Sequence, residues 1–213
     1  MTIEVDRPEE SGEEYLGLTT LQCAWIIVVG DPQIQRVNFR RYLCVPGKPT
    51  KDDVIGLNRQ AFLDGAVVEE LIEDCPERWN IAFDSKVEDA NGDVFQLPMM
   101  DLTLRRSPEN LDRTKERLKE LIVPDFGGGF ILETEKSYHF LGRRLLSHKE
   151  WLKFLGLSLL ASIVIVTPNG QENIHELVAD YRYIGHSLIR GSAGLRITAG
   201  GSKTVLPKVV AVI

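Results

Sequence analysis

The second half of this 213-residue chain alternates strand-like and helix-like segments in a fixed order, which constrains the fold more than any other feature. From Val94 onward, the apolar spacing predicts strand, helix, strand, strand, helix, strand, helix, strand and strand. A strand–helix–strand–strand–helix–strand series is typical of the split β–α–β, or ferredoxin-like, layout, in which helices cover one face of an antiparallel sheet. We therefore predict an α+β fold.

Local signals set the bounds of these elements. Pro98 makes strand pairing irregular, while Ser107 and Ser147 are predicted helix N-caps. In chain order, the predictions are a strand at 94–105, a helix from 108 that ends near Pro124, a hairpin at 129–142 with its turn near 134–136, a helix at 148–160, a strand at 161–166, a mostly helical stretch at 170–192, and strands at 194–198 and 204–213.

The first half gives weaker signals. The apolar run 22–30 is predicted to be a buried strand, and 36–45 a second strand. Helical spacing over 50–74, with Thr50 as N-cap, predicts a helix. The segment 79–83 is a candidate strand, and the turn-rich segment 85–93 is either a hairpin tip or a surface loop.

These patterns divide the chain into three parts. Residues 1–14 read as a flexible acidic arm, because they hold few apolar anchors. Residues 15–93 are predicted to form an N-terminal α/β unit, which packs on a second unit at 94–213.

Charge is distributed unevenly between the two halves. The net charge is −6, but residues 1–100 hold 9 Lys and Arg against 19 Asp and Glu, whereas residues 101–213 hold 16 against 12. Polyanions bind to local basic surface, so a nucleotide or nucleic acid would bind the second half. An unevenly charged, solvated surface explains the same numbers.

Cysteine usage and the N-terminus bear on location. Three widely spaced cysteines without a Cys-x-x-Cys pair argue against a disulfide framework and a cysteine zinc site, so we expect a reducing, cytoplasmic location. The acidic N-terminus is unlike a secretory signal. The apolar run 154–166 is too short to span a bilayer, so no membrane partner is expected.

Two polar residues stand out on predicted strands. Asp101 lies among Met and Leu residues, where a carboxylate is costly unless it is paired or functional; the alternative is an acid near a strand end that reaches solvent. His139 lies in mid-strand and shares a face with Ser137. The alternative for His139 is a structural histidine whose hydrogen bonds are satisfied.

Three further positions are candidates in the last third of the chain. Asp180 precedes a basic segment, although it would also suit an ordinary helix face. Arg196, between Leu195 and Ile197, is a candidate phosphate contact or one half of a salt bridge. The turn Gly-Gly-Ser-Lys that ends at Lys203 is a weak phosphate-binding signal.

In this order the motifs resemble the catalytic module of the archaeo-eukaryotic primase superfamily, the primase-polymerases. That family has an Asp-x-Asp or Asp-x-Glu first motif, a Ser-x-His second motif and a hydrophobic-Asp third motif, on a module related to the RNA-recognition fold. The resemblance covers residues 94–205, and its most specific stretch is Asp125-Phe126-Gly127 followed by Ser137-Tyr138-His139.

The resemblance implies a role for each candidate. Asp101, His139 and Asp180 would be catalytic, with Asp101 and Asp180 holding Mg²⁺ or Mn²⁺. The phosphates of a nucleoside triphosphate would contact Ser137 and His139, and Arg196 and Lys203 would hold the triphosphate or a single-stranded template. The acidic N-terminal half is a candidate surface for a protein partner.

One departure weakens the first motif. Asp101-Leu102-Thr103 supplies one carboxylate where the family has two. A threonine hydroxyl is a poor substitute for a carboxylate that bridges two metal ions. Either Glu133 or Glu135 supplies the missing ligand, or the protein is a non-catalytic, primase-like binding or assembly module.

The resemblance also makes two predictions about geometry. The side chains of Asp101, His139 and Asp180 should line one groove. Basic residues should gather near that groove because phosphate recognition needs nearby donors. The basic residues in question are Arg143, Arg144, Arg182, Arg190, Arg196 and Lys203.

Overall fold

The computed structural model describes residues 12–43, 51–166, 172–200 and 203–213. These residues form a mixed α+β fold with antiparallel sheets and seven α-helices. Most of the predicted acidic arm at 1–14 lies outside them, and so do Gly201 and Ser202 of the glycine-rich turn. No helix in the described ranges is long and apolar enough to cross a membrane.

The elements are numbered in chain order after a short 3-10 helix at Glu13–Tyr15. The helices are α1 (Thr20–Gly30), α2 (Arg59–Asp64), α3 (Ala66–Glu73), α4 (Pro108–Leu121), α5 (Val123–Phe126), α6 (His148–Leu160) and α7 (Tyr181–Arg190). The strands are β1 (Arg36–Leu43), β2 (Lys51–Asn58), β3 (Asn80–Glu88), β4 (Val94–Gln96), β5 (Met99–Asp101), β6 (Gly129–Glu133), β7 (Tyr138–Gly142), β8 (Ser162–Val166), β9 (Glu172–Leu177), β10 (Gly194–Arg196) and β11 (Lys208–Val212).

The first sheet has the strand order β10-β3-β1-β2, and β4 also pairs with β3. Strands β4 and β10 follow residue 93 in the chain, so this sheet takes strands from both sides of the predicted boundary between units. The arrangement as an N-terminal α/β unit packed on an RNA-recognition-like unit stays a prediction.

The second sheet has the strand order β11-β6-β7-β5. Strand β7 lies between β5 and β6 in the sheet. In the chain, α4 comes after β5 and before β6, as in a split β–α–β unit. The hydroxyl of Tyr138 on β7 donates to the carbonyl of Ser107, the N-cap of α4, at 2.9 Å. Alternate residues of a strand point to opposite faces, so α4 lies on the face opposite His139.

The outer edge of β5 is extended by a short backbone pairing with the residues before α7. The amide of Thr103 donates to the carbonyl of Val178 at 2.9 Å, and the amide of Asp180 donates to the carbonyl of Asp101 at 2.8 Å. Leu102 and Ala179 form an antiparallel bridge between them. This pairing brings the start of α7 next to the end of β5.

The two faces of the first sheet differ in polarity. Phe39 and Phe83 are fully buried on one face and pack against Phe62 of α2, with ring centroids 5.7–6.2 Å apart. Arg40 and Arg196 are both register partners of Ala82, so they share the other face. The first face forms a core with the N-terminal helices, and the second is polar.

Three predicted elements of the chain are wrong. Residues 22–30 are not a strand but most of α1, and residues 50–74 hold β2, α2 and α3 rather than one helix. Residues 170–192 hold β9 as well as α7. Thr50 and Gly170, the first residues of two of these predicted segments, lie outside the described residues.

Each error has a physical reason. An apolar run such as 22–30 has no periodicity to separate strand from helix, but the Thr19–Gln22 capping box marks a helix start. Strand β2 forms because Asp52 and Asp53 meet Tyr42 and Arg41 in register across β1, a pairing that local spacing does not report. The pair Asn169-Gly170 is a hairpin signal between the runs that become β8 and β9.

Most other element predictions are confirmed. Ser107 and Ser147 accept hydrogen bonds from backbone amides as the N-caps of α4 and α6. Pro98 separates β4 from β5, and the turn of the β6–β7 hairpin lies at 134–137. Residues 89–93 form the tip of the β3–β4 hairpin.

A buried ion pair joins β1 and β3 on the polar face of the first sheet. The Arg40 guanidinium donates to the Asp84 carboxylate through Nε at 3.0 Å and Nη2 at 2.7 Å, and Nη1 donates to Asp52 at 2.7 Å. Ser192, just after α7, also donates to Asp84 at 2.9 Å. Burying charges is costly unless they are paired, so this network fixes the end of α7 to the sheet.

We expect Asp84→Ala to lower the free energy of unfolding by about 3 kcal/mol, because it removes the buried carboxylate that two nitrogens of Arg40 contact and leaves Asp52 as the remaining carboxylate of the described network. Asp53→Ala is the matched control. It breaks the Arg41–Asp53 pair, in which the carboxylate side chain is 54% exposed, and should cost less than about 1 kcal/mol. Denaturant unfolding measures both, and equal losses would contradict a structural role for the buried pair.

Candidate functional site

Asp101 and His139 are direct register partners across β5 and β7. Partners in an antiparallel pair point to the same face, so both side chains lie on the face of the second sheet opposite α4. Oδ1 of Asp101 is 3.7 Å from Nε2 of His139, too long for a hydrogen bond. The first and second motifs therefore adjoin without a bond between their side chains.

His139 is buried and electrically neutral. Only 9% of its surface is exposed, and its Nδ1 has no hydrogen-bond partner within the described structure. Burial, together with the positive charges of Arg196 and Lys203, lowers the pKa of His139 to about 3. A buried polar atom without a partner is uncommon, so Nδ1 is an unsatisfied polar group at this position.

Asp180 is the N-cap of α7. Its carboxylate accepts a hydrogen bond from the Arg182 amide at 2.8 Å and forms an ion pair with the Arg182 guanidinium at 3.2 Å. Burial acts to raise the pKa of Asp180, but these Arg182 contacts hold it below the usual value. Asp180 is therefore not an acid on a helix face, which was the alternative, but a helix N-cap next to Asp101.

Asp101 has the opposite electrostatic character. Burial, with repulsion from the nearby Asp180 carboxylate as the next cause, raises the pKa of Asp101 to about 7. Lys203 and Arg182 act in the opposite direction. The side chain still keeps 37% of its surface exposed, so it lies deep among protein atoms but remains open to a ligand.

Arg196 reaches this region from the first sheet. Its guanidinium donates to the carbonyl of Thr198 and, at 2.7 Å, to that of Val205. Burial lowers the pKa of Arg196, and the charges of Tyr42, Glu135 and Asp101 oppose that shift. Arg196 is 6% exposed and bonded to carbonyls instead of a carboxylate, so the salt-bridge alternative for it is not what the structure shows.

Lys203 completes the cationic side of this cluster. It is exposed, and its charge acts on both Asp101 and His139. Asp101, His139, Asp180, Arg196 and Lys203 are hereafter called the Asp101 site. The structure thus brings together residues from β5, β7, the start of α7, β10 and the segment after it.

Ser137 lies at the turn that precedes β7 and not within the strand. Its amide donates to Oγ1 of Thr134 at 3.0 Å, and the two hydroxyl oxygens are 3.3 Å apart. These bonds close the β6–β7 turn. Whether Ser137 also contacts phosphate stays a prediction.

The predicted basic residues divide into two groups. Arg182, Arg196 and Lys203 act electrostatically on Asp101. Arg144 bonds to Glu150 and to the carbonyl of Asp125. Arg143 and Arg190 also have other neighbours, since Arg143 lies over the Phe130 ring and Arg190 lies 4.0 Å from Asp52.

The two glutamates proposed as the missing ligand differ in position. Glu133 is the register partner of Tyr138, so it lies on the face opposite His139, and it pairs with Arg106 at 3.3 Å. That placement excludes Glu133 as a ligand beside Asp101. Glu135, in the turn, acts on Arg196 and is the glutamate that remains near the site.

The carboxylates fit one cation better than two. Asp101 and Asp180 repel each other, and a divalent ion between them would relieve that repulsion. However, within the described ranges no group of three or more His, Cys, Asp or Glu side chains is placed to hold a metal ion. Thr103 is exposed and adds no carboxylate.

Sequence reasoning did not identify two contacts of this region, the pairing of Arg182 with Asp180 and the position of Tyr42 beside Arg196. Arg182 pairs with Asp180 two positions earlier, and an Asp followed by a basic residue at the start of a helix is a usable signal. Tyr42 lies two positions after Arg40 on β1, so period-two spacing places it on the polar face of the first sheet with Arg196.

The opposite pKa shifts of the two aspartates predict opposite effects on stability. The pKa of Asp101 is raised from 3.8 to about 7, so its contribution to folding is complete below the unfolded pKa and is lost as the pH rises through about 7. We expect Asp101→Asn to become more stabilising between about pH 5 and about pH 8. Denaturant unfolding in a chelating buffer measures this.

Asp180→Asn is the matched comparison. Its pKa lies below the usual value, so its ionised form stabilises the fold above that value and the contribution is lost as the pH falls. We expect this variant to be destabilised at both about pH 5 and about pH 8. Parallel pH dependence in the two variants would contradict the assigned electrostatics.

Comparison with known proteins places the chain in a family. A family model described as archaeo-eukaryotic primase 1D-like matches residues 61–208, well over half of the chain. No curated protein and no solved structure matches it. The matched range includes β5, β7, α7 and β10, which carry the Asp101 site. The chain therefore belongs to the archaeo-eukaryotic primase 1D-like family.

Proposed function

We propose that this protein binds nucleoside triphosphates and single-stranded nucleic acid at the Asp101 site, as a primase-like protein with weak nucleotidyl transfer. One observation carries the proposal: the first, second and third motifs meet there. Asp101 is the register partner of His139, and its carbonyl accepts the amide of Asp180. Membership of the family supports the same class of ligand.

The site has the polarity that a triphosphate requires. Asp101 and Asp180 supply two neighbouring carboxylates, and the positive charges of Arg196 and Lys203 act on Asp101 and His139. Phosphate oxygens accept strong hydrogen bonds from charged donors. Arg196 is already oriented by two carbonyls, so it would meet a phosphate with little loss of side-chain entropy.

His139 contributes a neutral imidazole. With its pKa lowered to about 3, it stays uncharged near neutral pH, and one ring nitrogen then carries a proton that it can donate to a phosphate oxygen. Burial limits its motion and excludes competing water. We assign it the role of positioning the triphosphate beside Asp101.

Asp101 and Asp180 would hold one Mg²⁺ or Mn²⁺, both of which prefer oxygen ligands. When bound, the ion would neutralise phosphate charge and orient the triphosphate. The protein's own residues must do the rest: Arg182 fixes the Asp180 carboxylate, and the β5–β7 pairing fixes Asp101. Asp101, whose pKa is raised to about 7, would hold the ion in its deprotonated form.

The shortage of ligands favours a second candidate. In the described part of the chain no three-ligand group exists, and Thr103 stands where the family has a carboxylate. A primase-like module that binds nucleotides or assembles with a partner without turning them over explains both facts. The activity measurements below separate the two candidates.

We expect Lys203→Ala to weaken binding of a nucleoside triphosphate in the presence of Mn²⁺ by about tenfold, or ~1.4 kcal/mol, because it removes a charge that acts on Asp101 and His139. Isothermal titration calorimetry measures the affinity. Lys208→Ala, an equally exposed lysine on β11, is the control and should bind as the unsubstituted protein does. Equal affinities of all three proteins would refute the assigned site.

We expect Thr103→Asp to raise primer extension, because it restores the second carboxylate of the first motif. A metal ligand contributes several kcal/mol of charge stabilisation, and each ~1.4 kcal/mol is tenfold in rate. Asp101→Ala should abolish whatever activity the natural protein has. Extension of a labelled primer with Mg²⁺ and with Mn²⁺ measures both variants.

Glu135→Gln tests the remaining glutamate in the same assay. Loss of a vigorous natural activity in this variant would identify Glu135 as the missing ligand. Activity that survives Asp101→Ala would show that the active site lies elsewhere. No activity in Thr103→Asp, together with intact nucleotide binding, would favour the non-catalytic module.

A further inference from the structure

A cleft of about 630 Å³ opens on the polar face of the first sheet, at the opposite end of α7 from Asp180. Lys86, Gln96, His148 and Arg190 are among the residues that line it, and it is called the Arg190 cleft. None of the residues of the Asp101 site lines it. Ten helical residues separate the two regions by about 15 Å along the α7 axis.

The two acids that line the Arg190 cleft differ: Asp84 is fully paired, and Glu88 makes only a long contact. Oδ2 of Asp84 accepts from Arg40 and Ser192, and Oδ1 accepts from the amide of Lys86 at 3.0 Å. Asp84 is 1% exposed, so its charge is held inside the protein. The Glu88 carboxylate lies 4.0 Å from the Arg36 guanidinium.

The cations that line the cleft are less well compensated. Arg190 lies 4.0 Å from Asp52, but the same Oδ2 accepts from Arg40 at 2.7 Å. Nε of Arg190 is buried and lacks a hydrogen-bond partner within the described structure. The Lys86 ammonium likewise has no hydrogen bond or ion pair with a described residue.

His148 adds a third basic group to the rim. It is exposed, and it is the first residue of α6, with its ring 5.9 Å from that of Trp151. Its ring can donate an N–H to a phosphate oxygen beside the Arg190 and Lys86 cations. Three basic groups of different types therefore face one concave surface on which the buried acid, Asp84, is fully paired.

We propose that the Arg190 cleft is a second phosphate-binding site, separate from the Asp101 site. A phosphate group supplies what Arg190 and Lys86 lack, since guanidinium groups bind phosphate oxygens through two parallel hydrogen bonds and an ammonium acts as a point charge. The phosphate belongs either to a nucleic acid strand or to a free phosphate compound. Both sources share this chemistry.

The test uses the full chain and two substitutions, Lys86→Ala and Arg190→Ala. A short fluorescent single-stranded oligonucleotide is titrated by anisotropy over a salt series without divalent metal, and inorganic triphosphate is titrated by calorimetry. Lys119→Ala is the control, because Lys119 is an exposed lysine in the last turn of α4, outside the cleft.

We expect both cleft variants to bind the oligonucleotide several-fold more weakly, with the slope of log affinity against log salt reduced by about 0.7 for each lost contact. Lys119→Ala should leave both quantities unchanged. If the cleft variants lose affinity for inorganic triphosphate only, the site is supported and its ligand is a free phosphate compound. Unchanged affinity for both probes in Lys86→Ala overturns the proposal, and so does the absence of binding to both probes.

Two measurements keep the result interpretable. Lys86 makes no side-chain bond to a described residue, so Lys86→Ala retains the fold even if Arg190→Ala does not. Lys203→Ala, assayed beside the cleft variants, reports on the Asp101 site. If the cleft variants bind normally and Lys203→Ala binds more weakly, only the cleft proposal is rejected. If the cleft variants bind more weakly and Lys203→Ala binds normally, only the proposed Asp101 site is rejected.

Discussion

The backbone pairing at the edge of β5 is the constraint on which the candidate site depends. The amide of Asp180 donates to the carbonyl of Asp101, while Asp101 itself is the register partner of His139. A slip of one residue in either pairing would turn one of these side chains to the opposite face of the sheet. The site is therefore specified by strand register more than by side-chain contacts.

This placement brings two carboxylates close enough to repel each other, and the protein surrounds them with different neighbours. Asp180 receives a helix amide and a direct contact with the Arg182 guanidinium. Asp101 has a backbone hydrogen bond from Leu102 and only longer-range attraction from Arg182, and its pKa rises to about 7. Unequal environments for two nearby carboxylates are a common way to hold one ionised while the other exchanges a proton. Such perturbed groups cluster at functional sites.

Sequence reasoning succeeded where the signals are local. The caps at Ser107 and Ser147, the break at Pro98 and the β6–β7 turn are all set by residues within a few positions of each other. Period-two spacing also placed Asp101 and His139 on strands, and the family assignment is confirmed.

Three failures concern contacts between distant segments, whereas the missed α1 and β9 carry local signals, a capping box and an Asn-Gly pair. Strand β2 exists because it pairs with β1, and Glu133 faces away from His139 because it is the register partner of Tyr138 across the β6–β7 hairpin. The position of Arg190 beside Asp52 depends on where α7 ends against the first sheet. No local pattern reports any of these three facts.

The pairing of β10 with β3 has a consequence for how the chain acquires its structure. Phe83 meets Leu195 in register, and the amide of Ile81 is bonded to Thr198, more than a hundred residues later. Contacts of such long range slow folding, since the intervening loop must close first. While the ribosome is still making α4 to α7, one edge of β3 has no β10 to cover it. An uncovered strand edge is a template for association with other chains. Expression of the first half alone should thus produce an aggregation-prone fragment and not an autonomous domain.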